Sequence, residues 1–155
     1  MARLDGRLHA FSELTADLAR EQARQVTDAV SRGDELGALA GVPLSVKDLI
    51  ATAGIPTRCG SPAYRDFVPD EDDVVVERVK AAGAVILGKT NVPEFGYSGT
   101  GHNPIAETTR NPWDTALTPG GSSAGSGVAV ATGMTPLSLG GDGGGSVRIL
   151  SLIHI

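Results

Sequence analysis

Two glycine-rich segments near the end of the chain constrain its fold most strongly. They read PGGSSAGS from Pro119 to Ser126 and GGDGGGSVR from Gly140 to Arg148. Glycine loses more backbone freedom on folding than any other residue, so this density is typical of places where backbone N–H groups must come close to a ligand. Because both segments carry serine, they predict a site where one hydroxyl attacks a substrate and backbone N–H groups hold the resulting oxyanion.

Size and composition exclude several classes of protein. The 155 residues suffice for one domain with a sizeable core, and 41% hydrophobic with 20% charged residues is typical of a globular chain. The net charge of −5 and the absence of a Lys and Arg cluster argue against a nucleic-acid partner. No apolar run is long enough to span a bilayer, so we expect no membrane partner. A single cysteine, Cys59, excludes a disulfide within the chain and favours a cytoplasmic location.

Helical and strand patterns alternate along the chain. Apolar residues recur every three or four positions in the helical stretches, and short apolar runs bounded by turn residues separate them. This alternation predicts an α/β fold with a mixed, largely parallel sheet flanked by helices. The predicted elements are a helix over Phe11–Arg32 that ends at Gly33, a strand over Val42–Val46, a helix through Val75 that ends at Gly83, a strand over Ala84–Leu87, a helix from near Ser123 to Gly133, and a strand over Pro136–Leu139.

Residues Gly83 to Thr90 match the phosphate-loop pattern G-x-x-x-x-G-K-T letter for letter. A phosphate loop needs a strand before its first glycine and a helix that begins at its lysine. Here the four intervening residues are themselves the apolar strand, and Pro93 opposes a helix directly afterwards. We therefore interpret Lys89 and Thr90 as residues at a strand end rather than as a nucleotide site.

The segment Gly121 to Gly125 matches G-x-S-x-G, the nucleophile elbow of the α/β-hydrolases, with Ser123 as its serine. That elbow requires a preceding strand and a later histidine as general base. The preceding residues 113–119 form a poor strand, and the later histidine, His154, is one position from the end of the sequence.

A third candidate site combines Lys47, which follows an apolar strand, with the serines of both glycine-rich segments. Together these residues supply a base, hydroxyl groups and backbone N–H donors.

Five motifs in order resemble the amidase signature family, whose enzymes hydrolyse carboxylic amides. The resemblance runs from about Phe11 to Ile149, and Ser122 and Ser146 stand 24 positions apart, as the family's two serines do. The motifs are Gly41-Val42-Pro43-Leu44-Ser45-Val46-Lys47-Asp48, Leu87-Gly88-Lys89-Thr90-Asn91-Val92-Pro93-Glu94-Phe95, Asn111-Pro112-Trp113, Pro119-Gly120-Gly121-Ser122-Ser123 and Gly144-Gly145-Ser146-Val147-Arg148.

The resemblance implies a set of site residues. Lys47 corresponds to the general base, Ser146 to the nucleophile, and Ser122 to the middle serine, which the family holds after a cis peptide bond. Ser122 would pass the proton of Ser146 to Lys47, which must be neutral and therefore buried. The oxyanion hole corresponds to the N–H groups of Gly143, Gly144, Gly145 and Ser146, and substrate contacts to Gly96 and Ser98.

This scheme implies no metal and no cofactor, and His9, His102 and His154 have no metal-ligand spacing. Its substrate would be a small-molecule amide. Asp142 and Arg148 flank the nucleophile loop, and they either pair to brace it or are two solvated charges.

Family members are normally longer, so we interpret residues 1–149 as the N-terminal part of one amidase signature domain that is incomplete at the C-terminus. Residues 150–155 do not match the family and resemble a truncation or frameshift artefact. We expect the chain alone to be poorly soluble or inactive, and the family resemblance implies a homodimer for the full-length protein. Two alternatives stay open: the catalytic A subunit of a tRNA-dependent glutamine amidotransferase, and a non-catalytic fragment. The loop from Glu94 to Gly101 differs from that of the amidotransferase and favours a free-standing hydrolase.

Overall fold

A four-stranded mixed sheet forms the centre of the molecule. The structure is a computed structural model, and it describes residues 2–150. The strand order is β1-β3-β2-β4, in which β2 pairs in parallel with both β3 and β4, and β1 pairs antiparallel with β3. The prediction of a largely parallel sheet flanked by helices is confirmed. The elements are α1 (Ala2–Leu8), β1 (Phe11–Leu14), α2 (Ala16–Arg32), β2 (Pro43–Lys47), α3 (Val74–Ala81), β3 (Val85–Thr90), α4 (Ala124–Ala131), β4 (Leu137–Leu139) and α5 (Ser146–Ile149), with short 3-10 turns at Pro62–Tyr64 and Glu94–Gly96.

The first predicted helix is wrong at its start. Residues 11–14 form β1 instead, and helix α2 begins at Ala16. The apolar spacing of Phe11 and Leu14 suits a helix, but β3 offers a free antiparallel edge that pairs with this segment from Thr90 to Gly88. Tertiary pairing therefore overrides local periodicity here. The predicted end is confirmed, because Gly33 caps α2 in the left-handed conformation with φ +76°.

The other predicted elements are confirmed within a few residues. Strand β3 extends three residues further than its apolar run and includes Gly88, Lys89 and Thr90. Lys89 is buried within that strand rather than placed at the start of a helix. This placement agrees with the rejection of a phosphate loop.

Helix α4 packs closely against the sheet on the face where Ser45 and Lys47 of β2 point. A Cβ at Gly125 would lie 2.1 Å from the carbonyl oxygen of Ala10, so glycine is needed for this approach. The opposite face of the sheet packs on α3, through a core of Leu44, Val46, Ile55, Val76, Ala84 and Ile86. The two faces of β2 therefore have different roles, one apolar and one polar.

A long irregular segment from Asn91 to Pro119 crosses the molecule between β3 and the first glycine-rich segment, as its turn residues predict. Within residues 2–150, no helix is long and apolar enough to cross a bilayer. Residues 151–155, which carry His154 and most of the non-family tail, lie outside the described residues.

Candidate active site

Lys47 is the last residue of β2, and its neighbour across the parallel ladder is Thr90. A strand alternates the direction of its side chains, so Lys47 lies on the polar face, opposite the apolar core that Val46 joins. Helix α4 covers that face, and 2% of Lys47 is exposed. A lysine in such a place needs polar partners, because an unpaired buried amine is costly.

Four oxygen atoms surround the Nζ atom of Lys47. Three belong to serine hydroxyls: Ser123 at 2.8 Å, Ser122 at 2.9 Å and Ser146 at 3.0 Å. The fourth is the carbonyl oxygen of Gly141 at 3.1 Å. The two glycine-rich segments thus meet at one amine, as the sequence predicts for Lys47, Ser122 and Ser146. A neutral amine among these four oxygen atoms has N–H groups to donate and one lone pair to accept a proton.

Burial sets the protonation state of this amine. Loss of solvent lowers the pKa of Lys47 to about 8, although the nearby carboxylate of Asp142 acts in the opposite direction. A fraction of the molecules near neutral pH therefore holds Lys47 uncharged. An uncharged amine is the form that can take a proton from a serine hydroxyl.

Ser122 follows a cis peptide bond, Gly121–Ser122, as the family resemblance implies. Its hydroxyl contacts Lys47, and the residue also lines a cavity beside Ser146. Gly96 lies directly beside it, because a Cβ at Gly96 would be 3.2 Å from the Ser122 Oγ and 2.6 Å from a methyl group of Leu49. Gly96 also has φ +67°, a left-handed conformation that side chains disfavour.

Ser123 occupies a more central place than its weak elbow motif suggests. Its Oγ lies 2.7 Å from the Oγ of Ser146 as well as 2.8 Å from Lys47, and its backbone N–H donates to the Ser146 hydroxyl at 3.1 Å. The expected contact of Ser146 with Ser122 is not among the hydrogen bonds of the described residues, in which Ser146 contacts Ser123 and Lys47. The sequence signal for this place of Ser123 was the adjacent pair Ser122-Ser123, because two neighbouring side chains can both face one site when the chain turns sharply.

The carboxylate of Asp142 organises the second glycine-rich segment around Ser146. It accepts from the guanidinium of Arg148 at 3.0 Å, and from the backbone N–H groups of Gly145 at 2.6 Å and Val147 at 3.2 Å. Arg148 and these N–H groups hold the pKa of Asp142 well below its usual range. Of the two interpretations from the sequence, the bracing pair is the one that the structure shows.

The three glycines expected in the oxyanion hole divide into two kinds. Gly143 and Gly144 line the cavity next to Ser146, whereas the N–H of Gly145 is already donated to Asp142. Donation to a substrate oxygen is therefore open to the first two without breaking the brace. Gly145 has φ +104°, so its backbone suits glycine at the point where the loop turns into α5.

A cavity of about 410 Å³ opens beside Ser122 and Ser146. Gly96 and Ser98, the predicted substrate contacts, both line it. The sequence did not indicate the apolar walls, which come from separate segments and have no shared motif. These wall residues are Leu49, Ile50, Phe95, Tyr97 and Ile149.

Residues 2–150 contain no group of three or more His, Cys, Asp or Glu side chains that could hold a metal ion. His102 lies on the surface, where its ring nitrogen contacts Thr108 at 3.1 Å. Cys59 is half-buried, and burial raises the pKa of its thiol.

Comparison with known proteins assigns the chain to a family. The family model described as Amidase matches residues 1–149. The chain therefore belongs to the amidase family, the amidase signature enzymes, which are hydrolases acting on carbon–nitrogen bonds.

Two curated relatives with similar sequences share one name. The A subunit of glutamyl-tRNA(Gln) amidotransferase from Cyanothece sp. is 47% identical over 146 residues, which are 94% of this chain and 30% of that protein. The protein of the same name from Alkaliphilus metalliredigens is 44% identical over 145 residues, with the same coverage. The chain thus spans about 30% of the length of the curated relatives it matches.

Solved structures share the fold closely. The peptide amidase of Stenotrophomonas maltophilia superposes with a TM-score of 0.90 at 38% identity, over 97% of this chain and 32% of its own. A bacterial aryl acylamidase of the amidase signature family gives a TM-score of 0.88 at 34% identity, over 97% of this chain and 31% of its own. The architecture described above is therefore that of about one third of an amidase signature enzyme.

Proposed function

We propose that the protein hydrolyses a carboxylic amide through an acyl-enzyme formed on Ser146. The observation that carries this proposal is the buried Lys47 amine, which lies 3.0 Å from the Ser146 hydroxyl and has a pKa lowered to about 8. Serine is a weak nucleophile until a base takes its proton, and a neutral lysine in contact with it can do so. Membership of the amidase family and the cavity beside Ser146 support the same reaction.

The first half of the reaction acylates Ser146. Its Oγ attacks the amide carbonyl carbon while its proton moves to Lys47, either directly or across the Ser123 hydroxyl that bridges the two. The carbonyl oxygen becomes an oxyanion, for which the N–H groups of Gly143 and Gly144 are the proposed donors. Each such donor typically lowers the barrier by about 3 kcal/mol.

The leaving nitrogen must gain a proton before the carbon–nitrogen bond breaks. Ser122 is the proposed donor, because its hydroxyl contacts Lys47 at 2.9 Å and the residue also lines the cavity in which the substrate would lie. Ser123 is 1% exposed and does not line that cavity. The two serines would thus have different functions. Ser123 would help to transfer the proton of Ser146 to Lys47, and Ser122 would transfer a proton from Lys47 to the leaving amine. Water then hydrolyses the acyl-enzyme by the same path in reverse.

A second candidate function is that of a glutamine amidotransferase subunit. The observation in its favour is the name of the curated relatives, which are called the A subunit of glutamyl-tRNA(Gln) amidotransferase. Such a protein would use the same serine on the amide of glutamine and release ammonia for a partner protein. The structural neighbours include a peptide amidase and an aryl acylamidase, whereas the sequence relatives carry the amidotransferase name, so family membership is compatible with both functions.

The test incubates the protein encoded by its natural gene with aliphatic amides, aryl amides and glutamine, and measures release of ammonia or amine. We expect turnover that Ser146→Ala abolishes and that Ser123→Ala reduces less. Turnover restricted to glutamine, and raised by a co-purifying protein, would favour the amidotransferase. Turnover that survives Ser146→Ala but not Ser123→Ala would overturn the assignment of the nucleophile and favour the elbow motif.

A further inference from the structure

Lys89 is a second buried lysine, and the proposed mechanism does not use it. It lies in β3 with no exposed surface. Thr90 is the cross-strand neighbour of Lys47, and side chains alternate along a strand. Lys89 therefore lies on the face of the sheet opposite Lys47, beside the apolar core.

All three N–H groups of the Lys89 ammonium have acceptors, and all three acceptors lie in one segment, Ile50–Thr57. They are the carbonyl oxygen of Ile50, the Oγ1 of Thr52 at 3.0 Å and the Oγ1 of Thr57 at 2.8 Å. The Thr52 hydroxyl in turn donates to the Ile50 carbonyl at 3.2 Å. A fully buried ammonium with three satisfied donors binds its acceptors firmly, because a lost partner would leave a charge without compensation.

The same segment begins with the turn by which the chain leaves Lys47. The backbone N–H of Ile50 donates to the carbonyl oxygen of Lys47 at 2.9 Å, while the carbonyl of Ile50 accepts from Lys89. Ile50 therefore joins the two lysines through one residue. Leu49 and Ile50 also form part of the cavity wall, so the position of this turn sets both the base and the wall.

We propose that Lys89 is a positioning residue for Lys47: by holding the Ile50–Thr57 segment, it fixes the turn that keeps the Lys47 amine among the three serines. It acts through the backbone and does not touch the substrate. The inference rests on the proposed function in taking Lys47 as the base, but the position of Lys47 can be measured without any turnover.

A simpler role for Lys89 is to balance the charge of Asp48. The Asp48 carboxyl is buried, and burial raises its pKa to about 6, against the opposing effect of Lys89. The other charged groups near Lys89 are Asp72 and Lys80, with the Cys59 thiol, and burial lowers the pKa of Lys89 itself to about 8. The three N–H groups of the ammonium nevertheless go to Ile50, Thr52 and Thr57 rather than to the carboxylate.

The positioning role and the charge-balance role of Lys89 predict different results for a double variant. Lys89→Met alone removes both the charge and the hydrogen bonds, whereas Asp48→Asn with Lys89→Met restores neutrality but not the hydrogen bonds. The readout is the titration midpoint of the Lys47 side chain, followed by ¹³C NMR of labelled lysine and assigned with Lys47→Arg. It is measured in the protein encoded by the natural gene, next to its thermal unfolding and its kcat and KM on the best amide.

We expect the double variant to unfold cooperatively and to raise the Lys47 midpoint by about one pH unit, because a loosened turn lets water reach the amine. We expect kcat to fall by about tenfold, with KM changed less than kcat, because the base is misplaced while the wall residues outside this turn, Phe95, Tyr97 and Ile149, keep their places. A double variant with the wild-type midpoint and kcat would overturn the proposal in favour of charge balance.

A milder variant covers the case in which neither methionine variant folds. Thr52→Val with Thr57→Val removes two acceptors and keeps Lys89, and Thr135→Val is its matched control, since Thr135 is equally buried and its hydroxyl contacts Ser45 at 3.4 Å. We expect the first to raise the Lys47 midpoint and the control not to. If the Lys47 midpoint is the same in the wild type, in the double valine variant and in Thr135→Val, the proposal is overturned. If the double valine variant shifts the Lys47 midpoint but the wild-type protein hydrolyses no amide, the proposed function is wrong and the positioning role of Lys89 is still supported.

Discussion

The Nζ atom of Lys47, at the end of β2, lies 3.0 Å from the Oγ of Ser146, at the start of α5, 99 residues later in the chain. The sheet brings β2 under α4, and the two glycine-rich segments bring their serines to the same point. Burial at that point lowers the pKa of the amine, which we propose as the base that takes the proton of Ser146.

The pH dependence of kcat/KM should rise through a midpoint near 8. Below that pH Lys47 is protonated and cannot accept the proton of Ser146, so the rate should fall by about tenfold per pH unit. Lys47→Arg should be inactive at every pH, because a guanidinium does not lose its proton in this range. Initial rates from pH 5 to 10 measure this dependence. A profile that stays flat from pH 6 to 9 would show that another group is the base.

Ser122→Ala and Ser123→Ala form a matched pair, and they should differ between amide and ester substrates. Ser122 lines the cavity and is the proposed proton donor to the leaving amine. An alcohol leaves with less help from a proton than an amine does, so Ser122→Ala should lose on the order of 100-fold on an amide and less on the matched ester. Ser123→Ala should affect both substrates alike, because it acts before the leaving group departs. Paired kcat/KM values on an amide and its ester decide this, and the reverse pattern would exchange the two roles.

Gly96→Ala should impair catalysis more than its backbone strain explains. Its Cβ would lie 2.6 Å from Leu49 and 3.2 Å from the Ser122 hydroxyl. Gly54→Ala is the matched control, because Gly54 has a similar φ of +73° and open space where a Cβ would be. Both variants should lose about 1–2 kcal/mol of unfolding free energy from the left-handed conformation. Gly96→Ala should in addition lower kcat/KM. Equal activity of the two variants would show that the close approach at Gly96 has no catalytic consequence.

Asp142→Asn should shift the pH profile as well as lower its height. The Asp142 carboxylate raises the pKa of Lys47, so its removal should move the midpoint of kcat/KM to lower pH. It also accepts from the N–H groups of Gly145 and Val147, so the nucleophile loop should lose its brace and kcat should fall. The profile of the variant measures both effects. A midpoint that moves to higher pH would mean that loss of the brace exposes Lys47 more than loss of the carboxylate neutralises it.

Much of the architecture follows from local sequence patterns. The strands before Lys47 and before the second glycine-rich segment are short apolar runs, and helix α2 ends at the glycine that its pattern predicts. The exception is β1, whose residues have helical spacing. Its strand conformation comes from the free edge of β3, which lies more than seventy residues away, and local periodicity carries no information about it.

The residues of the site likewise include some that the sequence indicates and others that only the structure reveals. Lys47, Ser122 and Ser146 stand in motifs, and the structure brings all three together. The central place of Ser123 depends on the geometry of the turn between the glycine-rich segment and α4, which the letters alone do not specify. The apolar walls come from three separate segments without a shared pattern, and the link from Lys89 through Ile50 to Lys47 exists only once β2 and β3 pair.

Identification of the acylated residue tests the central claim most directly. The protein is mixed with an amide substrate, quenched in acid within its first turnovers, digested and analysed by mass spectrometry. We predict that the acyl group is found on the peptide that carries Ser146 and is absent from the Ser146→Ala variant. An acyl group on Ser123, or continued turnover with no acylated serine, would contradict the account.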